Sequence, residues 1–253
     1  MSELKRFGVL LKKDLLDSIK DKKAIIALLI FLLTLYGSMS LADNINEELH
    51  EKDIEPSLYD DVERTFGSLD VFIPFVLSIF LLPLVALIMA FDSIAAQREN
   101  NNVRYYLLKV RRVTFLVSKV FSNFIILVIV FGLFFLISNI VLYYKLGYSF
   151  NLESFFYPWT LLSVYSLALI SFYTFLSSIP KTTVVALMLC FAGLLFLVFT
   201  LSTPYLKWLS MFSYLSNFMK STAKEKFFNY LGLSVYAVVF FVLSWIKLER
   251  TDL

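Results

Sequence analysis

Arg98, Arg104, Lys109, Arg111 and Arg112 fall within fifteen residues, with Leu107, Leu108 and Val110 among them and only Asp92 and Glu99 nearby in opposition. Guanidinium groups at this density make charge-assisted hydrogen bonds to carboxylates or phosphates. Leucines between them suit an apolar hollow, so the pattern fits an interface with an anchor and a charged rim. The same cations also suit lipid headgroups and the enforcement of topology. These residues alone leave both readings open. The stretch that holds them, Asp92 to Lys119, is far longer than a membrane chain needs merely to turn around.

No other chemistry competes with this segment. The seven glycines form neither GxxxxGK nor GxGxxG. There is no HExxH, no pair of glutamates within an apolar run and no serine with a histidine in reach, so intramembrane catalysis lacks its groups. Cys190 is the only cysteine and lies inside an apolar run, which excludes a disulfide or a thiolate metal site within one chain. The only histidine, His50, stands among Glu47, Glu48, Glu51 and Asp53, and one imidazole with scattered carboxylates reads as a solvated charge run.

The elements around this segment are membrane spans. With 59% hydrophobic and 17% charged residues, the 253-residue chain is too apolar for an ordinary soluble domain. Its continuous apolar runs are long enough to cross a hydrocarbon core of roughly 30 Å as helices, and they lack the alternation of a barrel. Six spans are predicted, at about Ala24–Leu41, Val71–Phe91, Phe115–Tyr143, Trp159–Ser177, Val184–Leu201 and Phe228–Ile246. The fold class is therefore all-α integral membrane. An even number of spans places both termini on one side. That side carries 16 of the Lys and Arg residues and the other carries 7, so the first is expected to be cytoplasmic.

Outside the spans the pattern is also readable. Residues 1–23 lack the apolar core of a cleavable signal; Leu4, Phe7, Leu11, Leu15 and Ile19 instead predict an amphipathic helix along the headgroups. The segment Asp43–Asp70 holds ten acidic residues against two cations and is expected to be a solvated external loop with one short helix at most. Trp208, Phe212, Leu215 and Met219 predict a second amphipathic helix on or dipping into the outer surface before the last span. Pro83 is expected to kink the second span, as a packing feature or a hinge, and Asn139 to hydrogen-bond a neighbouring helix or contact a substrate. No span carries a mid-membrane charge, so a proton relay or voltage sensor has nothing to run on. Energy must come from another subunit, or the protein is a passive channel or scaffold.

In the frame after span two, Ile94, Arg98, Glu99, Val103, Leu107, Leu108, Val110, Arg112 and Lys119 resemble the membrane subunits of type-2 ABC exporters, the ABC-2 permease superfamily. The tail also resembles that family, where a Leu-Ser-hydrophobic stretch precedes a last span closing on Leu248, Glu249 and Arg250. The closest likeness is to the gliding-motility and nitrous-oxide-reductase-maturation permeases. Asn101, Lys109 and Ser118 depart from the family's usual Gly, Pro and Gly.

The resemblance implies a single 1–253 transmembrane domain in the cell membrane, non-catalytic, whose segment 92–114 couples to ATPases. Arg98, Glu99, Arg104, Leu107, Leu108, Lys109, Val110, Arg111 and Arg112 would make that contact. The expected partners are two cytoplasmic ABC ATPase subunits, which would bind ATP and Mg, a second identical or homologous permease, and membrane lipid; nucleic acid is not among them. Spans two and five would line the pathway, through Phe80, Leu84, Leu87, Met188, Phe191, Leu195 and Phe199, suiting a hydrophobic or amphipathic cargo. A mechanical transmitter acting on an extracytoplasmic partner, or a non-ABC scaffold or channel, are the alternatives.

Overall fold

The computed structural model describes residues 3–51, 69–100, 106, 108, 110–146, 152–203, 205, 210–215 and 223–250. Among these the chain forms helices α1 (Glu3–Lys20), α2 (Lys23–Glu51), α3 (Leu69–Ala90), α4 (Ala95–Glu99), α5 (Arg112–Leu146), α6 (Leu152–Ser177), α7 (Thr183–Ser202) and α8 (Ala223–Glu249), with a 3-10 turn at Met211–Tyr214 and no strand. Five of them, α3 and α5 to α8, are long and apolar enough to cross a membrane; α2 carries a shorter apolar stretch, Lys23–Ser38. The protein is an all-α integral membrane protein.

Helix α6 is the axle of the bundle. It is the most buried span, 78% against 22% for α7 and α8, and it packs on α3, α5, α7 and α8. Tyr165 and Tyr173 on it are fully enclosed. Across the bundle Phe31 of α2 meets Phe131 and Phe134 of α5 edge-on, with centroids 5.1 and 5.6 Å apart. In lipid such burial gains little from water exclusion, so close packing and small side chains hold the helices together. Gly193 shows this: a Cβ there would stand 2.5 Å from Leu176 Cδ1 and 3.1 Å from the Phe172 ring. Gly193→Leu is therefore expected to force α7 off α6 at a cost of about 1–3 kcal/mol, read as a lowered thermal midpoint in lipid nanodiscs.

Several expectations change on contact with the structure. Helix α2 runs on to Glu51, so the start of the acidic segment extends the span and is not loop; no Pro or Gly interrupts it between Gly37 and Pro56. His50 lies in that helical extension, and residues 52–68 lie outside the described ones. Asn139 bonds its own helix, donating to the Phe135 carbonyl at 2.8 Å, and reaches no neighbouring one among the described residues.

The segment before the last span dips inward. Phe212 and Leu215 are buried, while Trp208 and Met219 fall outside the described residues. Phe212 stacks on Phe80 at 6.5 Å and meets Tyr165 edge-on at 6.0 Å. Both partners stand near the middle of their helices. Among the described residues the amphipathic helix is thus a short 3-10 turn, sunk into the bundle by its aromatic anchor.

Candidate functional site at the polar bend

The turn from α3 into α4 begins at Asp92, whose two carboxylate oxygens each accept from Lys23 Nζ at 2.5 Å. This pair ties the end of α3 to the start of α2. The next backbone N–H groups, of Ile94 and Ala95, both donate to Ser177 Oγ at 3.2 Å. Helix starts leave such donors orphaned, and the last residue of α6 satisfies these two.

Helix α4 is only five residues long, yet its last two side chains reach the next pair of spans. Arg98 donates through Nη1 to the carbonyls of Ser178, at 2.6 Å, and Pro180, at 3.4 Å. These carbonyls belong to the turn between α6 and α7. Glu99 Oε2 accepts from the backbone N–H of Thr183 at 2.9 Å and from its hydroxyl at 2.6 Å. The residue at the N-cap of α7, Thr182, makes no capping bond with its own side chain. Glu99 supplies the missing cap from another element, and its negative charge sits at the positive end of the α7 dipole.

Arg112 performs the mirror task at the end of the chain. Its guanidinium donates to the carbonyls of Leu248, at 3.0 Å, and Glu249, at 2.5 Å, which close α8. Those are the acceptors a helix C-terminus leaves unfilled, and a cation there meets the negative end of the dipole. Beneath it Ile94, Phe115, Leu116 and Leu248 form a small apolar cluster, with Tyr106 and Phe241 packed on it, separate from the main core. Lys13 of α1 hydrogen-bonds the Tyr106 hydroxyl and lies over its ring. That hydrogen bond is the main reason the Lys13 ammonium is held above the usual lysine range.

Helix α1 docks by a buried ion pair. Asp14 accepts from Lys119 at 2.7 Å and from the Ser118 hydroxyl at 2.7 Å, with the paired side chains 8% and 13% exposed. The apolar spacing of α1 does not single out Asp14; Leu10 and Asp14 are nonetheless its two buried residues. Glu3 adds contacts to Arg111, at 3.0 Å, and Thr114, at 3.1 Å. A polar cavity of about 270 Å³ opens beside Asp14, Asp92, Lys23 and Lys119 and leaves both ion pairs a hydrated side, which lessens their desolvation cost.

The bend therefore gathers the two chain ends and the α6–α7 turn onto one end of the bundle. Of the residues named from sequence, Arg98 is bonded to the α6–α7 turn, the exposed Glu99 to the start of α7 and Arg112 to the end of α8. Leu108 is 83% exposed, the Arg111 side chain is 79% exposed, and Val110 is half-buried. Arg104, Leu107 and Lys109 lie outside the described residues. The named pathway residues Phe80, Leu84, Met188, Phe191, Leu195 and Phe199 are exposed on the outer faces of α3 and α7, and Leu87 is buried in the core. Asp14, Ser177 and Thr183 complete the site without having stood out in the sequence. Charge and apolar spacing reveal a surface, but a partner about a hundred positions away leaves no local mark.

The polar bend of this helical membrane body is thus strapped to the ends of five other helices, α1, α2, α6, α7 and α8. The family described as ABC-2 family transporter protein matches residues 9–253. The chain belongs to that family and is a permease component of an ABC transporter, a multi-pass membrane subunit for which membership implies association with ABC ATPases. No curated protein matches the chain at a comparable level. Family membership removes the reading as a non-ABC scaffold or channel.

Proposed function

We propose that this subunit couples ATP hydrolysis in two cytoplasmic ATPase subunits to export of a hydrophobic or amphipathic cargo, as one of two permeases, identical or homologous, in the cell membrane. The polar bend and both termini face the cytoplasm, and ATP and Mg bind in the ATPases. The observation that carries the reading is the outward display of Leu108 and Arg111 on a bend whose Arg98, Glu99 and Arg112 are fixed to the α6–α7 turn and to helix ends. An apolar side chain held out of the membrane beside a guanidinium fits the groove of a soluble partner better than it fits water.

In this reading, closure of the ATPases pushes on the bend, which carries α1, α6, α7 and α8 with it. Access at the interface between the permeases then switches from inward to outward. The exposed aromatic and aliphatic faces of α3 and α7 support an apolar cargo.

Leu108→Glu combined with Arg111→Glu is expected to lower recovery of the ATPase with the purified permease at least tenfold. The Arg111–Glu3 pair lost at the same time is exposed and worth little, about 0–1 kcal/mol, so folding should be unchanged. Recovery of the ATPase at the unaltered level overturns the reading.

A further inference from the structure

Charge is sorted around helix α1. Its acidic groups serve the bundle: Glu3 meets Arg111 and Thr114, Asp14 meets Ser118 and Lys119, and Asp17 lines the polar cavity with Asp21 of the following turn. Lys5, Lys12 and Lys20 are exposed and make no ion pair among the described residues. At 3.6 residues per turn these three lysines share one arc of about 80° on the side of the helix away from Asp14. Val9, Leu16 and Ile19 stand on the same side and are 61%, 46% and 52% exposed. This is not the face the apolar spacing singled out, since Phe7, Leu11 and Leu15 are partly buried.

The depth of α1 follows from its partners. Lys23 and Lys119 are the last charged residues before the uncharged runs of α2 and α5, which end only at Asp43 and Lys145. In spanning helices such residues mark the headgroup level. Lys119 pairs with Asp14, and both lysines line the cavity that Asp17 and Asp21 also line, so α1 lies beside this level. From Glu3 to Asp14 the helix advances about 16 Å, while its contacts on α5 advance from Thr114 to Ser118, about 6 Å. It therefore crosses the side of α5 more than it follows it. The far side of a helix laid there meets headgroups, where lysine stems run along apolar surface and carry their ammonium groups to phosphate. A soluble partner is reached first through Leu108 and Arg111, and Arg111 stands about 12 Å outward of Lys119.

We propose that the outward face of α1 binds anionic phospholipid, with Lys5, Lys12 and Lys20 on headgroup phosphates and Val9, Leu16 and Ile19 among the upper acyl chains. The site rests on the chain's place in the membrane and stands apart from the exporter reading. In a Cys190→Ser background, Leu16→Cys carries an environment-sensitive dye in the whole protein, reconstituted in phosphatidylcholine vesicles. A nitroxide high on one acyl chain, borne by phosphatidylglycerol or by phosphatidylcholine at the same mole fraction, quenches the dye. Quenching by the phosphatidylglycerol probe is expected to be at least threefold the greater, and to lose that preference in high salt. Val238→Cys, exposed in the middle of α8, should show none. Changing Lys5, Lys12 and Lys20 together to Gln should bring the two probes level, whereas changing all three to Arg should keep the preference. Binding of the ATPase should leave it unaltered. Equal quenching by the two probes with the lysines in place overturns the site, because the face then meets lipid without reading charge. No quenching at Leu16→Cys beside normal quenching at Val238→Cys means that the face does not meet lipid, which also overturns it. Loss of quenching when the ATPase binds assigns the face to a protein contact and overturns it as well. A preference that survives the three Gln substitutions overturns the role of these lysines.

Discussion

Lys119→Met is expected to destabilise the protein by about 3 kcal/mol and to free α1 first. Removing one partner of a buried ion pair leaves the other charge unpaired in a poor solvent, at a cost of about 3–5 kcal/mol. Two features place this pair at the lower end. Asp14 keeps the Ser118 hydroxyl as a donor, and the polar cavity gives it a hydrated side. The loss falls on α1 because the Asp14 carboxylate is what that helix buries, with Leu10, against α5. Limited proteolysis in nanodiscs should show earlier cleavage within α1, together with a lower thermal midpoint. Asp14→Asn in the same chain should recover most of the loss, since no lone charge then remains. Equal losses in the single and double variants would mean the charge is solvated and the pair contributes no more than a surface contact.

Apolar runs made the five membrane-capable helices and the shorter apolar stretch of α2 legible, because in lipid a continuous run of that length has no other stable form. Their ends were not. Helix α6 starts at Leu152 where the apolar run pointed to Trp159, and α8 starts at Ala223 where it pointed to Phe228. Charged residues interrupt the apolar run there, Glu153 in one and Lys224, Glu225 and Lys226 in the other, and hydropathy does not register the helix that continues through them. The long helical tail of α2 escaped for the same reason: Glu47, Glu48 and Leu49 are good helix formers whatever their charge. Tilt and depth also stayed hidden. The apolar spacing of Phe212 and Leu215 marked a face that packs, without telling a helix on the membrane from a turn sunk between spans.

The candidate site divides along the same line. The density of cations marked the bend as a surface; the structure adds that Arg98 holds the α6–α7 turn, Glu99 caps the start of α7 and Arg112 caps the end of α8. A guanidinium looks identical in sequence whether it faces a carboxylate on a partner or the open carbonyls of Leu248 and Glu249. What distinguishes them is the three-dimensional closeness of ends far apart in the chain. Arg98 finds Ser178 and Glu99 finds Thr183 only because α4 lies across the α6–α7 turn.

That division leads to the second large effect: Arg98→Ala combined with Glu99→Gln should leave ATPase recovery within about twofold and abolish the response of α7 to nucleotide. Charged hydrogen bonds are worth about 1.5–3 kcal/mol each when they are not fully exposed, and the half-buried Arg98 holds two backbone carbonyls of one tight turn. Glu99 fixes the first residue of α7 by both its backbone and its hydroxyl. Displacement of α4 is therefore displacement of the α7 start, and losing both contacts lets α4 move alone. In a Cys190→Ser background, Phe199→Cys near the far end of α7 reports the motion through its rate of labelling by a membrane-impermeant maleimide. ATP with vanadate should change that rate at least threefold in the otherwise unaltered complex and leave it unchanged in the double variant. Thr183→Ser, which keeps the hydroxyl, should behave as the unaltered protein, and Thr183→Val should fall between. A double variant that still responds would show that force reaches α7 by another route, and one that loses the ATPase would place Arg98 and Glu99 in the partner contact itself.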